Sequence, residues 1–162
     1  MRDTKLDDID LKILGLLQVD GRMSQHDLAE AVGLSSPATG ERVRKLLDRG
    51  VIRRFAAVLE PKKLGQDVTA FISVGIDGSQ HYPKFVDHTR AHPEILECHA
   101  ITGSGSHMLK VRTESTSTLE RLLSQIQSWP GVTWTTTSVV LSVAKETLVV
   151  PLASESSEPA VD

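Results

Sequence analysis

Cysteine is almost missing from this sequence. Cys98 stands alone among 162 residues, which excludes an intrachain disulfide and any zinc site built on several thiolates. Cys98 itself reads as a small apolar residue in a strand. No apolar run approaches the roughly 20 residues that a membrane helix needs. The opening stretch MRDTKLDDIDLK is charged and lacks an apolar h-region, so no secretory signal is read and a cytoplasmic location is expected. Also missing are a Ser-His-Asp set, a P-loop, a dinucleotide fingerprint and paired carboxylates at catalytic spacing. No catalytic residue and no cofactor are therefore assigned. A metal site is not assigned either. His99 and His107 flank a hairpin loop, and neither a carboxylate nor a cysteine accompanies them at ligand spacing.

Hydrophobic residues make up 40% and charged residues 24%, which fits a soluble globular chain of one ordinary domain or two small ones. The net charge of -3 argues against nucleic acid as a partner until its distribution is considered. Between Ser35 and Arg54 there are six basic and two acidic side chains, a local +4. From Leu64 to the end six basic face eleven acidic side chains, a local -5. Phosphate contact needs positive charge on the docking face, not on average. Two modules with different partners are implied.

Apolar residues at Leu6, Ile9, Ile13, Leu16 and Leu17 predict a helix over about 6–19, ended by Asp20-Gly21. Asp7, Asp8 and Asp10 crowd its first turns, where the helix dipole favours negative charge. A second helix begins at Ser24, with Asp27 three residues on, and ends at Gly33. A third begins at Ser35 or Ser36, tolerates Pro37 in its first turn, and ends at Gly50. Its apolar residues Val43, Leu46 and Leu47 face inward, and Arg42, Lys45 and Arg49 recur opposite. Val51 to Leu59 is β-like, with Arg53 and Arg54 at its start. Residues 61–67 read as a linker. Beyond it come a strand over 68–76, a helix over 82–91, strands over 95–102 and 108–113, a helix over 117–128 and a strand over 132–143. A further short strand is expected near 146–151. This order is the βαββαβ ferredoxin-like plan. The polar, acidic tail 153–162 is expected to be disordered.

Two short helices joined by a glycine turn, the second with a basic face, form a helix-turn-helix signature whose second helix fits the major groove. Arg42 and Lys45 are placed to meet guanine or phosphate. Ser35, Ser36 and the helix start are placed to donate to phosphate. Ser24, Pro37, Ala38, Thr39 and Arg49 complete the candidate surface, and Arg53 and Arg54 sit where a β wing would touch the backbone.

The stretches Leu6-Asp-Asp-Ile-Asp10-Leu-Lys-Ile-Leu14, Asp20-Gly-Arg22, Leu28-Ala29, Val32-Gly-Leu-Ser35, Glu41-Arg-Val-Arg-Lys-Leu46 and Gly50-Val-Ile52 together resemble the opening half of Lrp/AsnC (feast/famine) regulators. The resemblance continues through Glu97-Cys-His-Ala-Ile-Thr-Gly103, Leu109-Lys-Val-Arg112 and Pro130-Gly-Val132 to Val140-Leu141, so it spans roughly Lys5 to Val150. It implies an α+β chain: a winged helix-turn-helix over 1–60, then a ferredoxin-like effector domain of the RAM/AsnC type over 68–152. It implies double-stranded DNA and an amino acid or related small molecule as partners. It also implies dimers that assemble into larger rings, such as an octamer of four dimers. One face of such a sheet carries helices and the other needs cover, which agrees with at least a dimer.

In the resembled family, effectors bind at the loop between the central strands. Here that loop is Gly103-Ser104-Gly105-Ser106-His107-Met108, and Thr135 and Thr137 resemble the family's partner residues. Two departures stand out. The loop has no acidic residue to take an ammonium group, which leaves either an effector without an amine or Glu97 or a neighbouring subunit for that role. Gly40 stands where an apolar packing residue is usual, which implies a loosened recognition helix or a close backbone approach to DNA. A different function is also compatible with the resemblance: some similar proteins are haem-pathway decarboxylases acting on sirohaem, with a His/Tyr-rich run in the second domain, whereas here only His99 and His107 stand near the corresponding strands. A third is architectural DNA wrapping without a ligand.

Overall fold

The computed structural model describes residues 5–152. The tail expected to be disordered, 153–162, lies outside the described residues. The chain forms two compact units. The first runs to Val58 and includes the described segment that begins at Glu146, and the second is Leu59–Lys145.

In the first unit, α1 (Asp8–Val19) starts from a reciprocal cap. The Asp7 carboxylate accepts from the Asp10 amide at 2.8 Å and the Asp10 carboxylate accepts from the Asp7 amide at 3.4 Å. Ser24 caps α2 (Gln25–Val32), and Gly33 ends it at φ 72°, a left-handed conformation that suits glycine. Ser35 caps α3 (Ser36–Asp48), with Pro37 in the first turn, where a missing amide costs nothing. Ile13, Leu14, Leu28 and Leu46 form the shared core of the three helices. Leu6 packs on that core but lies before the helix, which begins two residues later than the apolar spacing suggested.

The buried residue in the early part of α3 is Thr39, at 0% exposure, with its hydroxyl donating to the Ser35 carbonyl at 3.1 Å. Thr39 thus takes the inward position in this part of the helix. Gly40 is one step round the helix, against Gln25 of α2. A glycine inside a helix still costs about 1 kcal/mol relative to alanine.

Residues 53–60 and 146–152 form neither helix nor strand. The strand expected near 146–151 has another partner. The Gln18 side chain of α1 donates to the Val150 carbonyl at 3.2 Å and accepts from the Val150 amide at 2.7 Å. A side-chain amide thus takes the place of a neighbouring peptide. This segment, expected to end the second domain, is grouped with the first unit.

In the second unit, β1 (Val68–Ile76), α4 (Tyr82–Ala91), β2 (Ile95–Ala100), β3 (His107–Thr113), α5 (Thr116–Gln127) and β4 (Val132–Val139) follow the βαββαβ order. The antiparallel sheet is ordered β2-β3-β1-β4. Alternation along β1 buries Ala70, Ile72, Val74 and Ile76 beneath the helices, which supply Phe85, Leu119, Leu122 and Ile126. Phe71 and Ser73 point to the open face. The strand expected to run to 143 stops at Val139, which pairs with Ala70, and the Val140 amide donates to the Thr69 carbonyl at 2.9 Å.

Candidate nucleic-acid interface and effector loop

The first turn of α3 exposes Pro37 and Ala38, and Ser36 is half-buried beside them. The two serine caps use their hydroxyls locally. Ser35 Oγ accepts from the Ala38 amide at 3.4 Å, and Ser24 Oγ accepts from the Asp27 amide at 3.1 Å. Thr39, a candidate for DNA contact, is instead an inward residue closed to a duplex.

Arg42 also departs from its expected role. Its Nη1 donates to Asp7 Oδ2 at 2.7 Å and to Asp10 Oδ1 at 2.8 Å, which ties α3 to the start of α1. Asp10 is itself buried. The hydrogen bonds it donates to Asp7 and then to Asp10 hold the guanidinium's proton more firmly than usual. The Asp7 carboxyl is pushed below its ordinary range, first by the Asp10 amide and then by Arg42.

The outward basic residues of α3 are Arg44, which is not among the residues expected from the sequence to meet DNA, and Lys45, with side chains 67% and 64% exposed. Both meet Glu41: Arg44 through a hydrogen-bonded ion pair, Lys45 at 3.7 Å. Arg49, the C-cap of α3, donates to the Lys5 carbonyl at 3.3 Å. Arg53 and Arg54 are exposed on the segment that follows α3. Exposed cations therefore run from Arg44 and Lys45 on α3 through Arg49 at its C-terminal end to Arg53 and Arg54 beyond it.

In the second unit the loop 103–106 is clamped to the end of β1. The Ser106 amide donates to the Val74 carbonyl at 2.8 Å, and Ser106 Oγ accepts from the Ile76 amide at 3.2 Å. Ser73 Oγ donates to the Ser104 carbonyl at 3.1 Å. Gly105, at φ 104°, lies so near that a Cβ there would stand 2.6 Å from Ser73 Oγ and 3.2 Å from the Trp134 ring. Ser104 and Gly103 remain exposed at the tip.

The remaining candidates fall on two faces. His107 is buried at 3% exposure, with the rings of Tyr82 and Phe85 each 4.9 Å away, and its Nδ1 has no hydrogen-bond partner among the described residues. Burial pushes its pKa below the ordinary value, so it is a neutral core group and not a surface contact. Thr135 and Thr137 pair with Val74 and Ile72, residues of the helix-covered side, and Thr135 Oγ1 accepts from Gln127 of α5 at 2.8 Å. Met108 pairs with Ser73, on the open side. Trp134 is on that side too, 41% exposed, with its indole lying across Gly75, where any side chain would collide with it. The signal for Trp134 was Gly75, since a glycine inside a strand marks a close approach. Glu97, the alternative site for an ammonium group, is held by His99 at 2.9 Å and by Lys110 at 3.6 Å. His99 is thus on the open side while His107 is in the core, and no group able to hold a metal exists among the described residues. No helix among them is long and apolar enough to cross a membrane.

Known proteins match both units. The winged helix-turn-helix DNA-binding family model matches residues 6–53, and the Lrp/AsnC ligand binding domain model matches residues 69–150. The HTH-type transcriptional regulator FL11 of Pyrococcus horikoshii is 37% identical over 147 residues, 91% of this chain and 97% of FL11. The proline dehydrogenase transcriptional activator of Rhizobium radiobacter is 42% identical over 145 residues, 88% of this chain and 93% of its own. Among solved structures, a transcriptional regulator of Neisseria meningitidis in an L-Met complex aligns with a TM-score of 0.86 at 33% identity, over 91% of this chain and 97% of that one. Escherichia coli AsnC aligns with a TM-score of 0.84 at 28% identity, over 91% and 99%. A capped helix pair before a ligand-binding βαββαβ unit, matched to relatives along nearly its whole length, makes this chain a member of the Lrp/AsnC family of transcriptional regulators.

Proposed function

We propose that α3 lies in the major groove of a duplex operator with Arg44 and Lys45 as its outward readers, while Arg49, Arg53 and Arg54 meet phosphates. The observation that carries this reading is the division of labour on α3. Arg42 is committed to α1, whereas Arg44 is the exposed guanidinium nearest the N-terminal part of the helix, the part that reaches base edges. Pro37, Ala38 and the Ser36 peptide form the close-approach surface beside it. The bidentate fork of Arg44 suits guanine, and opening its pair with Glu41 is the local cost of that contact.

The second unit takes an amino acid or a related small molecule at the Gly103–Met108 loop, and its binding alters DNA affinity or assembly. The Neisseria relative in its L-Met complex supports that ligand class. Ser104, Gly103 and the loop backbone offer polar contacts for a carboxylate, and the half-exposed Trp134 offers an apolar wall. The open face of the sheet, with Phe71 at 40% exposure and Trp134, is covered by a second copy of the chain. Larger rings of such dimers fit the same reading. No enzymatic step belongs to it.

The test is an anisotropy titration of labelled duplex with the full chain, across salt and with an amino acid panel. A steep fall of affinity with salt, and a shift of the curve by at least one amino acid, is the expected result. Salt-independent binding would exclude the groove docking. Absence of any effect across the panel would favour DNA wrapping without a ligand.

A further inference from the structure

Gln25 is the first residue of α2, and its side chain does not follow the surface of its own helix. Its Nε2 donates to the carbonyl of Ser36, in the first turn of α3, at 2.6 Å. Gly40 makes room for this contact. A Cβ at position 40 would stand 2.5 Å from Nε2, 3.1 Å from Cδ and 3.4 Å from Oε1 of Gln25, so any other residue there displaces the amide. A residue that is poor in a helix thus occupies a helix interior where a neighbouring side chain fills the space it leaves.

The position of this crossbar matters. The buried contacts that hold α2 to α3 involve Leu28 and Leu46, on the inner sides of the two helices. The Gln25 bond lies outside that core, at the exposed N-terminal end of α3, where Pro37 and Ala38 begin the surface offered to a duplex. A core acts as a pivot, and the free end of a helix of 13 residues moves most when it tilts. Binding constellations need their groups held within about 0.5 Å of the productive geometry.

We propose that Gln25 and Gly40 form one positioning unit that fixes the angle at which α3 enters the groove, and so act on operator discrimination without touching a base. Gln25 is a positioning residue acting through the Ser36 peptide, and Gly40 is its socket. The unit goes beyond the assignment of Arg44 and Lys45 as readers and does not depend on which of them meets a base.

The test uses the full chain, a duplex selected by it from a random library, and an unselected random duplex of equal length. Variants are Gln25→Met, which keeps length but loses the donor, Gly40→Ala, and the two combined. Each single change is expected to lower the ratio of selected to random affinity by about tenfold, the upper range for one hydrogen bond. The combined variant is expected to lose no more than either single one, because both remove the same bond. The melting temperature of Gly40→Ala should stay level or rise, since alanine favours the helix. Three results would overturn the proposal: unchanged discrimination in Gly40→Ala, additive losses in the combined variant, or equal losses on both duplexes, which would make Gln25 a phosphate contact.

Discussion

Arg42 of α3 donates from one nitrogen to both Asp7 and Asp10 of α1, at 2.7 and 2.8 Å. Asp10 is buried, so this bond compensates a carboxylate that water does not reach freely. Arg42→Ala leaves Asp10 with its capping bond but without its cation. The expected loss is about 1–3 kcal/mol of stability, the range for orphaning a buried polar partner. Urea unfolding of the variant checks this. Undiminished stability together with lost operator discrimination would return Arg42 to the groove.

Arg44 is the opposite case. It sits on the outer side of α3, and among the described residues it is paired with Glu41 on the same helix. Arg44→Ala should scarcely change the unfolding midpoint, because exposed ion pairs add little. It should cost about 1–3 kcal/mol of discrimination at one base position if the fork reads guanine. Titration against operator variants substituted one base pair at a time tests this. Uniform losses at every position would mean a phosphate contact.

These two arginines also mark how far the sequence could be read. Helix caps, the Gly33 turn and the βαββαβ order were all legible, because capping and alternation are local. Which arginine faces outward was not assigned correctly, although the means were present. Arg42 is three residues after Thr39 and four before Leu46, both buried, so it lies near the inward side of α3. The acidic opening of α1 had been accounted for by the helix dipole alone, which hid its second role as the partner of Arg42. His107 was similarly legible, since it alternates with Leu109 and Val111 on the buried face of β3. The register of β4 was not. Whether Thr135 or Trp134 faces the helices depends on long-range pairing with Val74 and Gly75 and on a bulge beside Gly75, which no local pattern reveals. The link between Gln18 and Val150 was equally hidden, because a side-chain amide standing in for a strand leaves no periodic trace.

His107 gives the fold a dependence on pH. Burial lowers its pKa in the folded chain below the ordinary 6.5. Below that value the unfolded chain binds a proton that the folded chain resists, so stability is fully present above about pH 6.5 and falls as the solution becomes more acidic. His107→Leu removes the proton site and retains an apolar group between Tyr82 and Phe85. Between about pH 7.5 and about pH 5.5 the wild-type urea midpoint should fall more than that of the variant. Parallel falls in the two proteins would assign the acid sensitivity to other groups.

Trp134 supplies an internal reporter for the loop. The chain has two tryptophans, and Trp129 is buried at 7% exposure whereas Trp134 is 41% exposed. Because Gly105 and Gly75 both lie against the indole of Trp134, movement of the loop changes the surroundings of that ring before it reaches the core. A ligand seated at Gly103–Met108 should therefore shift or quench the emission of the wild-type chain, and Trp134→Phe should remove most of the change. A ligand present at about 100 times its dissociation constant should also raise stability by about 2.7 kcal/mol, so a melting experiment on the same variant separates loss of signal from loss of binding. If Trp134→Phe still binds with the same stabilisation, the ring reports on the loop without recognising the ligand. If binding to the wild-type chain leaves the emission of Trp134 untouched, the ligand sits away from this loop and the site lies elsewhere in the second unit.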